Sequence, residues 1–194
     1  DDDALLWARL AEIELSRGDS RAGLHAANTA IALDPGLGYA HAMRGYALLG
    51  ALNAAEALAA FDEAVTREQG LALAHLGRGL ARLSTADLAA ARRSFEVAVL
   101  LDPANALIRS YAAKAYLDEG RPALAAAQLD LAKRLNPADP TPWLYDALRK
   151  QAENRPAAAL ADWQHSVDLN EGRGVQRSRL LLDEDIGTRN ASVA

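Results

Sequence analysis

Two stretches decide the reading: HAMRGYALLGALNAAEALAAFDEAV at residues 41–65 and HLGRGLARLSTADLAAARRSFEVAV at residues 75–99. Superposed at an offset of 34 residues, they bring His41 onto His75, Gly45 onto Gly79, Ala57 onto Ala91, Phe61 onto Phe95 and Ala64 onto Ala98. The same offset carries Ala91 to Ala125 and Pro103 to Pro137, and Pro35 lies two intervals before Pro103. A fixed period of this length means an array of helix hairpins, in which each unit buries its apolar face only by stacking on its neighbours.

Working outward, the same register yields five consecutive units, 4–37, 38–71, 72–105, 106–139 and 140–173, followed by a non-repeat segment, 174–194. Apolar residues recur at helical spacing within them, as in Leu6, Leu10, Ile13 and in Leu58, Phe61, Val65, so each helix has a stripe to bury. Gly45, Gly79, Ala57 and Ala91 are small enough for two helices to approach closely, leaving room for the rings of Phe61 and Phe95. Pro122 and Pro156 both fall at position 17 of their repeats, the first turn of a second helix, where a missing N–H loses no bond. Asp-Pro at 34–35 and 102–103 and Asn-Pro at 136–137 end second helices, because the residue before proline is pushed out of helical geometry. Gln69 stands where the second unit lacks that proline, and a looser exit turn is expected there.

The pattern resembles the tetratricopeptide repeat (TPR) family over 170 of the 194 residues. Its large position 4 is matched by Trp7, His41, His75 and Trp143, its small position 8 by Ala11, Gly45, Gly79, Ala113 and Ala147, and its position 24 by Phe61, Phe95, Leu129 and Trp163. The fold the resemblance implies is an all-α, right-handed superhelical solenoid of antiparallel helix hairpins. The array opens without a polar capping helix, which suggests part of a longer protein with an exposed stacking face and self-association through its ends. In the last segment, a helix is expected over 175–186, with Leu180, Leu181, Leu182 and Ile186 covering the fifth repeat. That segment also resembles one that follows TPR arrays in large bacterial envelope proteins. On that ground the periplasm is favoured slightly over the cytoplasm.

Composition sets further limits. A hydrophobic fraction of 51% with 24% charged residues is that of a folded protein rather than a disordered one. Without cysteine there are no disulfides, thiolate metal sites or cysteine nucleophiles. A net charge of −5 argues against a nucleic-acid footprint, and no apolar run is long enough to span a membrane.

No residue constellation supports catalysis. His41 and His75 share the position of Trp7 and Trp143 and read as packing residues, while His25 and His165 lack partners at HExxH spacing. Asp183, Glu184 and Asp185 read as a solvated acidic run, Gly172-Arg173-Gly174 lacks the lysine of a phosphate loop, and no serine sits in a G-x-S-x-G context. The chain is therefore expected not to be an enzyme and to need no metal or cofactor.

Function is expected on the concave groove that first helices line in the proteins this chain resembles, through repeat positions 2, 5, 9 and 12. Carried over, these positions give a candidate partner-binding groove of Glu12, Tyr39, Tyr46, Leu73, Leu76, Leu80, Leu83, Ser110, Lys114, Leu144 and Leu148. Of these, Tyr39, Tyr46, Leu76 and Leu80 are expected to point into the groove most consistently, ahead of positions 2 and 12 as a class. The family's carboxylate clamp needs Lys, Asn and Arg, but Ala8, Glu12, Met43, Leu73 and Gly77 stand there, so that mode is rejected. What remains is a scaffold that binds an apolar peptide or helix of a protein partner. The alternative is a structural spacer or assembly module of a larger, outer-membrane-associated protein.

Overall fold

A computed structural model describes residues 3–171, and among them the chain forms ten α-helices and no strand. They are α1 (Ala4–Ser16), α2 (Ser20–Leu33), α3 (Gly38–Gly50), α4 (Ala54–Arg67), α5 (Ala72–Ser84), α6 (Leu88–Leu101), α7 (Ala106–Asp118), α8 (Pro122–Leu135), α9 (Thr141–Ala152) and α10 (Pro156–Glu171). Every second helix begins at position 17 of its repeat, and four of the five first helices begin at position 1. The exception is α9, which starts one residue late, after Pro140 and with Pro142 in its first turn. The helix expected over 175–186 lies outside the described residues.

The hairpin turns explain this regularity. In all five repeats position 15 has positive φ: Gly18 (84°), Leu52 (59°), Ala86 (60°), Gly120 (70°) and Asn154 (57°). The next residue's N–H then reaches five residues back, as in Asp19 to the Glu14 carbonyl at 3.0 Å and Asn53 to the Leu48 carbonyl at 2.9 Å, closing the first helix with a Schellman turn. Position 16 caps the second helix. Asp19, Asn53 and Asp87 accept from the N–H groups of Ala22, Glu56 and Ala90 at 2.8, 3.4 and 3.2 Å. In the fourth and fifth repeats Arg121 and Arg155 occupy that position, and Pro122 and Pro156 start the helix by removing an N–H that needs no partner.

The exit turn at Gln69 is not looser, contrary to the sequence expectation. Glu68 (φ −142°, ψ 87°) nearly repeats Asp34 (φ −138°, ψ 95°), and the Leu71 N–H meets the Glu68 carbonyl at 3.2 Å, as Leu37 meets Asp34. Proline is dispensable because the carbonyl at its position, not its ring, is what the next repeat holds. His41 Nε2 lies 3.0 Å from the Pro35 oxygen, and His75 Nε2 lies 3.0 Å from the Gln69 oxygen.

Helices α1–α6 make one compact unit and α7–α10 another, divided after Leu101. In the first, α3 packs on both α1 and α2, and α5 packs on both α3 and α4. Phe61, wholly buried, wedges this stack: a Cβ added at Gly45 of its own hairpin would stand 2.6 Å from its ring, and one at Gly77 of the next hairpin 2.1 Å. The two glycines therefore accommodate one aromatic ring. In the second unit α9 packs on α7 and α8. Asp146, 3% exposed, receives Lys133 at 2.6 Å, Lys150 at 3.0 Å and Arg149 at 2.7 Å, and Asp162 receives Lys133 at 3.6 Å and also Lys150. An ion network thus occupies a boundary between hairpins that apolar packing fills in the first unit.

Candidate peptide-binding face

The eleven residues expected to line the groove do not share one environment. Leu76, Ser110 and Leu144, all at position 5, are 1%, 0% and 5% exposed, and Ala8 and Ala42 at the same position are wholly buried. Position 5 lies one turn before position 8, where Gly45 and Gly79 meet the second helix, so it shares that inward face and offers no contact to a partner. Ser110 satisfies its hydroxyl on the Ala106 carbonyl at 2.8 Å. Tyr46 is also buried: its ring sits edge-on to Phe61, with centroids 4.9 Å apart, and its hydroxyl donates to the Leu73 carbonyl at 2.7 Å. These four residues hold helices together. They are not free to line a groove, contrary to the expectation for Tyr46 and Leu76.

The remaining seven are accessible. In the first unit Glu12, Tyr39, Leu73, Leu80 and Leu83 are half-buried, and the register of α1, α3 and α5 puts them on one face, at positions 9, 2, 2, 9 and 12. In the second unit Lys114 is half-buried and pairs with Asp118 at 2.8 Å, while Leu148 is 36% exposed.

One polar cluster on this face was not legible in the repeat pattern. Tyr39 Oη donates to Glu12 Oε2 at 2.7 Å, and Arg9 Nη1 lies 3.0 Å from the same oxygen and 2.9 Å from the Tyr39 hydroxyl. The Arg9 guanidinium also lies over the Tyr39 ring, 4.7 Å from its centroid. Burial, followed by the bond to the Glu12 carboxylate, pushes the Tyr39 hydroxyl well above its ordinary range, so it remains a proton donor. Arg9 sits at position 6, outside the four positions carried over from the family, and only its spacing from Glu12 on one helix hinted at the pair. Beside this cluster α1 borders an open pocket of about 430 Å³ lined by Arg9, Glu12, Ile13 and Ser16.

Among the described residues no group of three His, Asp or Glu side chains is placed to hold a metal ion, and no helix is long and apolar enough to cross a membrane. His41 and His75 are 7% and 5% exposed, and each is engaged with a turn carbonyl.

No protein-family model matches this sequence, and no curated protein matches it. Solved structures do. TTC0263, a thermophilic TPR protein in Thermus thermophilus, superposes with a TM-score of 0.77 at 18% identity, covering 97% of both chains. MamA from Desulfovibrio magneticus RS-1 gives a TM-score of 0.69 at 17% identity over 90% of this chain and 98% of its own. YrrB, described as a TPR protein with an unusual peptide-binding site, gives 0.63 at 17% identity over 87% of each chain.

Proposed function

We propose that this chain, whose fold is that of the tetratricopeptide repeat proteins, is a non-catalytic scaffold that takes an apolar peptide or helix of a protein partner on the first-helix face of α1, α3 and α5. The observation that carries the reading is the pairing on that face of partly buried Leu73, Leu80 and Leu83 with the preformed Arg9–Glu12–Tyr39 cluster. Covering what remains exposed of the leucines supplies affinity, up to about 1 kcal/mol for each, because most of each side chain is already buried. The cluster is already ordered, so a partner's backbone polar groups meet fixed donors and acceptors at one end of the face, which sets register. The peptide-binding site attributed to YrrB supports the reading as a precedent on a similar fold.

The test is to pan a displayed peptide library on the chain and measure the tightest peptide by fluorescence anisotropy. Leu80→Glu and Leu83→Glu should each weaken binding about tenfold or more, since a charge opposes burial. Leu100→Glu, at a residue 79% exposed on a second helix, should leave binding unchanged. Loss only with Leu100→Glu would move the site to the second helices and end this reading.

A further inference from the structure

An ion pair that joins the second and third repeats has no counterpart between the first and second. Across α4 and α5, Asp62 at position 25 of the second repeat meets Arg78 at position 7 of the third, at 3.5 Å. Across α2 and α3, which also pack together, those positions hold Asn28 and Arg44. Arg44 is partly buried, makes no ion pair or hydrogen bond among the described residues, and has its Nε buried without a partner. The Nε atoms of Arg78 and Arg82 are orphaned too, but those guanidinium groups face carboxylates, Asp62 and, at 3.9 Å, Asp87. Arg44 has none, and native proteins rarely leave a buried N–H donor without an acceptor.

The surface beside Arg44 adds donors and no acid. Positions 18, 22 and 25 share one face of a second helix. They are Ala55, Ala59 and Asp62 in α4 but Arg21, His25 and Asn28 in α2, and all six are exposed. Because α4 exposes this face inside the array, its exposure on α2 belongs to the register and not to the first repeat. The carboxylates that flank α2 are engaged by the main chain: Asp19 accepts from the Ala22 N–H and Asp34 from the Gly36 N–H, both at 2.8 Å.

We propose that Arg44, with Asn28 and Arg21, holds a carboxylate side chain from an acidic segment of a protein partner, on the second-helix side of the first unit. The neighbouring boundary identifies the occupant, since there a carboxylate of the chain itself, Asp62, fills the equivalent place. A planar guanidinium grips a carboxylate through paired N–H donors, and the Asn28 amide supplies a further one. The inference does not rest on the peptide-binding reading, which concerns first-helix positions 2, 9 and 12, so either can fail alone.

The test titrates a fluorescein-labelled peptide of alternating aspartate and glutamate into the full chain at low salt. Anisotropy reads affinity, NMR of the arginine Nε–Hε groups reads the site, and circular dichroism shows that each variant keeps its helices. The Arg44 signal should move with saturation. Arg44→Gln should weaken binding about tenfold, the loss of a charge-assisted pair, and Arg21→Gln about twofold. Asn28→Asp restores within the chain the pair that Asp62 makes with Arg78, so it should abolish the Arg44 shift and raise the melting temperature. That rise should vanish when Arg44→Gln is also present. Arg93→Gln, at an exposed arginine of α6, should bind as the parent does. No binding by the parent would overturn the proposal, as would undiminished binding by Arg44→Gln or Asn28→Asp, an equal loss with Arg93→Gln, or an equal rise in melting temperature in both backgrounds. Displacement of the peptide by an equal concentration of inorganic phosphate would overturn it too, by assigning the site to a phosphate group.

Discussion

The imidazole Nε2 of His75 lies 3.0 Å from the main-chain oxygen of Gln69, six residues earlier, and His41 makes the same contact to Pro35 at the same distance. Arg109, at the equivalent position of the fourth repeat, donates to the Pro103 oxygen at 2.7 Å. A donor at position 4 thus fixes the preceding exit turn in three repeats, with two different side chains. A carbonyl only accepts, so Nε2 of His75 carries the proton, and Arg78 approaches Nδ1 at 3.4 Å. Burial lowers the His75 pKa; the bond to Gln69 opposes this, and Arg78 adds to the lowering.

A histidine whose folded pKa lies below its unfolded one takes up a proton more readily when unfolded. Its contribution to stability is complete above about pH 6.5 and lost as pH falls from there through the folded value. Urea unfolding between about pH 7 and pH 5 should therefore show a steeper loss for the parent than for His75→Ala. Equal slopes would remove the histidine from the account. At neutral pH His75→Ala should cost about 1–3 kcal/mol, since the Gln69 carbonyl is left without its donor.

Phe61→Ala should destabilise by about 3–5 kcal/mol, because the ring fills space that Gly45 and Gly77 leave open on two hairpins. Gly77→Ala should cost about 1–3 kcal/mol by the opposite route, forcing a methyl against that ring. Chemical denaturation of both variants checks this, and an unchanged midpoint for Gly77→Ala would contradict the wedge.

Much of this was legible in the sequence. The 34-residue period and the prolines at position 17 placed the starts of the second helices, and the Gly45–Phe61 pairing named a core contact. What escaped it depends on the neighbouring hairpin. Tyr46 and Leu76 have the residue types of a groove, yet both are buried, Tyr46 with its hydroxyl on the Leu73 carbonyl of the adjacent first helix. Gly77 reads as a lost binding residue until the Phe61 ring is seen beside it. Arg9 joins the face through Tyr39, 30 residues away, a contact no single-repeat pattern encodes.

In the second unit, burial alone would raise the Asp146 pKa, but Lys133, Lys150 and Arg149 together outweigh it and hold the carboxyl well below the usual range. Its stabilising contribution is present above about pH 4 and lost as pH falls from there toward the folded value. Asp146→Ala should cost about 1–3 kcal/mol at neutral pH, because Lys133, Lys150 and Arg149 lose their shared partner and keep only Asp162 and Glu153. Thermal unfolding across that range should show the parent losing more stability in acid than the variant, and parallel curves would contradict the assignment.

Leu52 holds φ at 59° with its side chain 76% exposed, so its branched side chain brings strain and little burial. Leu52→Gly should raise stability by up to about 1 kcal/mol, the relief of left-handed strain being partly offset by a freer unfolded chain. A lowered melting temperature would show that the Leu52 side chain makes contacts that outweigh the strain.

The central claim, that α1, α3 and α5 present the binding face, is tested most directly by methyl NMR of leucine-labelled protein titrated with the selected peptide. The account predicts that the methyls of Leu73, Leu80 and Leu83 shift or broaden in step with peptide saturation while those of Leu52 and Leu100 stay in place. Shifts confined to Leu52 and Leu100, with the three first-helix leucines unmoved, would contradict it.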